Sequence, residues 1–274
     1  MHRRLLQLFE NNRHAPIADP AKAQRGFWLA NAAAADPDRD GDSDAPGAPD
    51  EDETGVVNLY VYDVIGPCDW QINSATIAPR LAALEAKTIN LHLNSPGGDV
   101  FEARAIKTAL EQHSARVVVH VDGLAASAAS FLMLAADEIR IARGAFVMIH
   151  NPWGFAMGDA KEMRRSADLL DQVGAAIAGD YSAKTGLAAD ELLAMMDAET
   201  WMDSATAVAK GFCDVEMEKK TKASALNRFD VSAFANAPDL NAAAKSALDA
   251  EAAFEEGRAF HARMAKLIAL GPAA

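Results

Sequence analysis

Cysteine, positive charge and long apolar runs are all scarce in this 274-residue chain, and each shortage narrows what the protein can be. Two cysteines, Cys68 and Cys213, cannot build a disulfide framework, so the reading is a protein of a reducing, cytoplasmic setting. Lysine and arginine number 26 against 39 acids, a net charge of −13. That balance offers no basic face for phosphate, so a nucleic-acid partner is not expected. No apolar run approaches the roughly 20 residues that cross a bilayer, so a membrane partner is not expected either. The opening "MHRRLLQLFENN" has the charge of a secretion signal. Its "LLQLF" is too short for the apolar segment and no small-residue cleavage site follows, so a short amphipathic helix is expected. None of the seven histidines pairs at metal-ligand spacing, and no metal or other cofactor is expected.

What the chain does have is apolar residues, half of its length, enough for one substantial domain with appendages. Four segments are expected: an N-terminal arm over 1–35, an acidic linker over 36–55, the main domain over 56–222, and an Ala-rich, partly helical tail over 223–274. The linker stretch "DPDRDGDSDAPGAPDEDET" holds nine acids and one arginine, and should stay solvated and self-repelling. It opens in the D-x-D-x-D-G order of a calcium loop at Asp36, Asp38, Asp40 and Gly41, but Gly47 stands where such a loop needs a bidentate glutamate.

From residue 56 strands and helices alternate. "VVNLYVYDVIG", "TINLHLN", "ARVVVHV", "EIRIA", "AFVMIH" and "VEM" read as strands. "SATIAPRLAALEA" reads as a helix with Ser74 as cap, and "DVFEARAIKTALEQH" as a second. A short apolar helix starts near Ser127. A long one over 159–183 places Met163, Leu169, Leu170, Val173 and Ile177 at helical spacing, and another lies near "AADELLAMM". The fold class is α/β, built from right-handed crossover units.

Three stretches carry chemistry. "NSPGGD" (94–99) sits between a strand and a helix, where paired glycines let backbone amides approach an anion. "GLAASAASFLMLAADE" (123–138) places Ser127 just after a strand, with the amide of Ala128 beside its hydroxyl, as acyl transfer needs. Ser130, nearly a turn later, is expected to bond a backbone carbonyl or pack into the helix. His150 in "FVMIHNPWG" alone among the histidines lies at the mouth of a strand before a turn. All three fall at strand ends, where α/β enzymes build their sites.

Together these blocks resemble the Clp protease (ClpP-like) family of serine peptidases, and within it the phage prohead or head-maturation branch. The resemblance spans roughly 56–220 in the family's block order. A fourth block, "ETWMDSATAVAKGFCD", resembles the segment around the third catalytic residue, with Trp201 and Met202 on an apolar pair and Gly211 to Asp214 closing it. The resemblance implies a spiral of βα units of the crotonase/ClpP type, with 159–183 as the projecting helix through which subunits associate into a homo-oligomer. It implies Ser127 as nucleophile, His150 as base, and an oxyanion hole of the Gly98 and Ala128 amides with Gly97 shaping the turn. Glu199 falls where the family usually has aspartate, with Asp197 and Asp203 as rivals. Substrates would be proteins, capsid or scaffold components and the chain itself, in the host cytoplasm or an assembling prohead. Other readings are a catalytically inactive scaffold, a crotonase-type acyl-CoA enzyme, and a Ser–Lys peptidase drawing on Lys107 or Lys161.

Overall fold

A computed structural model describes residues 26–31, 55–66, 72–217, 231 and 234–238. The N-terminal helix expectation, the acidic linker with its calcium-loop pattern, Cys68 and nearly all of the tail lie outside these residues. The chain divides into two units, Met1–Asn236 and Ala237–Ala274, and the sheet with its helices belongs to the first.

The architecture is α/β with a mostly parallel sheet. Its elements are β1 (Gly26–Asn31), β2 (Val56–Tyr62), α1 (Ser74–Ala82), β3 (Thr88–Ser95), α2 (Val100–Glu111) and β4 (Arg116–Ala126). Then come α3 (Ala128–Leu132), β5 (Glu138–Ala142), β6 (Phe146–Ile149), α4 (Ala160–Thr185), α5 (Ala189–Asp197), β7 (Thr200–Asp203), α6 (Ser204–Ala209) and β8 (Val215–Met217). The strand order is β1-β2-β3-β4-β5-β8, and β6 pairs with both β4 and β7. β1 falls in the stretch read as an arm, and adds antiparallel to β2 with Gly26 opposite Tyr62.

Alternation in β2 and β3 turns Leu59, Val61, Ile89, Leu91 and Leu93 inward, beneath Ile77 and Leu81 of α1 and Ala103, Ile106 and Leu110 of α2. Each large aliphatic side chain buried this way contributes about 1.5–3 kcal/mol. α1 is capped by Asn73 rather than Ser74. The Asn73 backbone is extended and its side-chain oxygen accepts from Thr76 N at 2.8 Å, whereas Ser74 is already helical and its N–H donates to Glu102 Oε2. Asp99 caps α2 in the same way, accepting from the amides of Phe101 and Glu102.

β4 decides where the chemistry falls. Its first half pairs with β5 (Val118 to Val121) and its second half with β6 (Leu124 to Ala126). The strand therefore runs five residues past "ARVVVHV", through a fully buried Leu124-Ala125-Ala126, and delivers the chain to residue 127 at the fork.

α4 is longer than its apolar stripe needs. It opens with a capping box between Asp159 and Glu162, and closes at Gly186 in the left-handed conformation (φ 75°). Only Gly174, Ile177, Ala178 and Tyr181 are buried; Met163 and Leu169, on the expected apolar face, are exposed. The outer half of the helix stands in solvent. Among the described residues no helix is long and apolar enough to cross a membrane.

Candidate active site

Ser127 turns the corner between β4 and α3 with φ 54° and ψ −124°, a backbone conformation rare outside glycine. Such a conformation costs on the order of 1–3 kcal/mol and persists only where neighbours enforce it. Here Ser127 N donates to Met148 O at 2.9 Å, while its carbonyl accepts from Ser130 N (3.0 Å) and Ser130 Oγ (2.6 Å). The Ser130 hydroxyl also meets Tyr181 OH at 2.7 Å. This buried serine thus bonds a backbone carbonyl and ties α4 to the turn.

His150 follows β6, whose Met148 lies opposite Ala126 of β4. That pairing brings the two strand ends level, and His150 Nε2 lies 2.8 Å from Ser127 Oγ. Burial drives the imidazole down to about 4, with the Glu199 charge acting in the other direction as the smaller cause. The ring is held neutral, the form that can accept a proton.

The double glycine wraps this corner. Gly97 (φ 90°) lies so close that a Cβ there would come within 2.5 Å of Ala126 O and 2.7 Å of Ser127 Cβ. Gly98 (φ 143°) bridges to Ile65, and a Cβ would sit 1.9 Å from Ile65 O. The bridge uses Ile65 N to Gly97 O and Asp99 N to Ile65 O, which leaves the Gly98 N–H without an acceptor among the described residues. Ala128, the first residue of α3, has no intrahelical acceptor for its own N–H. Gly98, Ser127, Ala128 and His150 line one cavity of about 280 Å³, with Phe131 and Trp153 among its apolar walls.

Glu199 is buried and adopts φ 49° just ahead of β7. It lies near enough to influence His150, but no hydrogen bond joins them. Its carboxylate instead accepts from Asn236 N (2.7 Å), Ala235 N (3.0 Å) and Trp201 Nε1 (3.3 Å). Phe234 places its ring edge-to-face against His150 (centroids 5.6 Å apart) and against Trp201 (5.8 Å). These contacts from 234–236 were hidden in the stretch read as tail. The available signal was slight: Val231 and Phe234, apolar and three apart, ahead of a turn-forming Asn236 and Pro238.

The rival acids are engaged elsewhere. Asp197 Oδ1 accepts from Asn151 Nδ2, and Asp203 caps α6 through Thr206 N. Lys107 pairs with Glu111 inside α2, and Lys161 begins the exposed half of α4. Among the described residues no three histidine, cysteine or acidic side chains cluster as metal ligands would.

A parallel sheet with its reactive side chains and free amides gathered where the strands end defines an α/β enzyme. The Clp protease family model matches residues 61–220, more than half of the chain, and the chain belongs to that family. It is 30% identical over 159 residues to ATP-dependent Clp protease proteolytic subunit 1 of Prochlorococcus marinus subsp. pastoris, covering 55% of this chain and 81% of the relative. Against the subunit 1 of a Synechococcus strain it is 30% identical over 150 residues, covering 53% and 76%. Against the ATP-dependent Clp protease proteolytic subunit of Pleurastrum terricola it is 28% identical over 187 residues, covering 63% and 94%. Family membership implies peptidase activity.

Proposed function

We propose that the protein is a serine endopeptidase in which Ser127 is the nucleophile and His150 its base. The observation that carries this reading is the 2.8 Å contact between Ser127 Oγ and His150 Nε2 at the wall of an open cavity. Ser127 Oγ attacks the peptide carbonyl as His150 takes its proton; His150 then returns a proton to the leaving amine, and water releases the acyl group by the reverse sequence. The Gly98 and Ala128 amides receive the oxyanion, each such donor being worth roughly 3–4 kcal/mol of barrier. Glu199 is the acid that would hold the Nδ1–H tautomer of His150 and stabilise its charged form. A crotonase-type enzyme has no use for the serine–histidine contact, which favours hydrolysis.

The substrates we propose are capsid or scaffold proteins of a phage, in a homo-oligomeric head-maturation protease that also trims itself. Support comes from the wording of "SPGGDVFEA" and "ETWM" and from segments outside the matched region, 1–60 and 221–274. The test is a fluorophosphonate probe, with intact mass, on the full chain and on Ser127→Ala. Labelling and terminal truncation in the wild type alone are expected. Labelling that persists in Ser127→Ala removes the nucleophile, and a wild type that neither labels nor truncates is an assembly protein on a peptidase fold.

A further inference from the structure

Glu199 has the wrong partners for a resting catalytic acid. Three donors converge on a carboxylate that offers about four acceptor positions, and none of them is the imidazole. Two of the three are consecutive main-chain amides, Ala235 and Asn236, from beyond the matched region. The same segment is fastened independently: Asn236 Nδ2 donates to Ala198 O at 2.7 Å, Phe234 N to Val231 O at 3.0 Å, and Val231 and Phe234 are both buried. Neither Val231 nor any of Phe234–Asn236 lines the cavity beside Ser127. The segment leaves the substrate's space open and acts on the acid–base pair from behind.

We propose that Phe234–Asn236 is a latch that keeps the peptidase in a low-activity state by holding Glu199 off His150. The latch rests on the peptidase reading above. In the latched form Ser127 and His150 are in contact, but the imidazole lacks the carboxylate that selects its productive tautomer and stabilises it once protonated. Release of the segment removes two amide donors from Glu199 and the Phe234 ring from the face of His150 together, so the carboxylate and Nδ1–H become each other's best partners. Glutamate suits this exchange better than the family's usual aspartate, because its extra rotatable bond lets one backbone position serve two partners. Only hydrogen bonds are exchanged; no covalent step is involved.

The full-length chain is assayed with a fluorogenic peptide and with the fluorophosphonate probe. Phe234→Ala removes the ring, and Ala235→Pro removes the N–H that reaches Glu199 Oε2. The latch predicts that each raises kcat at least about tenfold with KM little changed, and that adding Glu199→Gln cancels the rise. Unchanged or reduced kcat in both variants overturns it, a reduction meaning that the segment supports the acid instead of diverting it. Proton NMR of the otherwise native chain decides independently of how the variants fold. A downfield His150 Nδ1–H signal, assigned by its loss in His150→Ala, means that the acid is already engaged and the latch is wrong; its absence is the expected result. Probe labelling separates the two hypotheses. A wild type and variants that all fail to label remove the peptidase reading, whereas a wild type that labels as fast as its variants removes only the latch.

Discussion

Of the two side chains in contact at the site, His150 is the one whose titration its surroundings displace. Burial disfavours the imidazolium and carries the group down to about 4 from an ordinary value of 6.5. A peptidase using this base keeps its acid limb of kcat/KM near pH 4, measured as a pH–rate profile; a limb near 6.5 would show a solvated ring. The same displacement bears on stability. Between pH 6.5 and 4 the unfolded chain binds the proton and the folded chain does not, so stability is complete above 6.5 and is lost as the pH falls through that window. His120, lowered to about 4 chiefly by burial, acts in the same direction. Ser127, His150 and the glycine pair were legible in the sequence because each sits at a strand end with a local signature: small residues around a hydroxyl, a turn after the imidazole, two residues without Cβ. Glu199 was not legible to that degree. Its position followed from the fourth block, but its partners, Trp201 apart, depend on a left-handed backbone at 199 and on two main-chain amides some 35 positions later. No local pattern encodes either. The row of Tyr60, His92 and His120, stacked at 4.6 and 4.8 Å across β2, β3 and β4, was equally hidden, since it exists only once the strands are in register.

Among the elements, α4 couples the body of the protein to the turn at Ser127. Its Tyr181 is fully buried, packs on Phe212 and holds the Ser130 hydroxyl. Tyr181→Phe removes that hydrogen bond without stranding Ser130, which keeps Ser127 O as its acceptor. The expected cost is about 1 kcal/mol, read in chemical denaturation, with a fall in Tm of about 2–4 °C. A much larger loss would mean that the hydroxyl supports the 127 turn as a whole. Helix and strand identities were readable from periodicity, because the core positions of β2, β3, α1 and α2 repeat at the spacing of their element. Lengths were harder. β4 outruns its apparent end because two different neighbours, β5 and β6, share it. α4 carries apolar residues past the point where there is anything of its own unit to bury them against.

At the scale of the molecule, we propose that the unburied outer half of α4 is the surface through which copies of this chain associate. Met163 and Leu169 are exposed there, with Phe155 and Met157 on the approach to the helix. Leu169→Asp is expected to lower the sedimentation coefficient by breaking self-association, while the circular dichroism spectrum stays native; an unchanged coefficient places the contact elsewhere. The arrangement of strands around β4 was foreseeable as a class from alternating βα units, but its edge was not. β1 shields one flank of the sheet, meeting β2 through six residue pairs. Its nearest covalent tether to that partner is the long acidic stretch from 36 to 55. Any trimming that carried away the first thirty or so residues would bare a row of unsatisfied peptide groups on β2, and the shortened molecule would gain a seam along which a second sheet could zip.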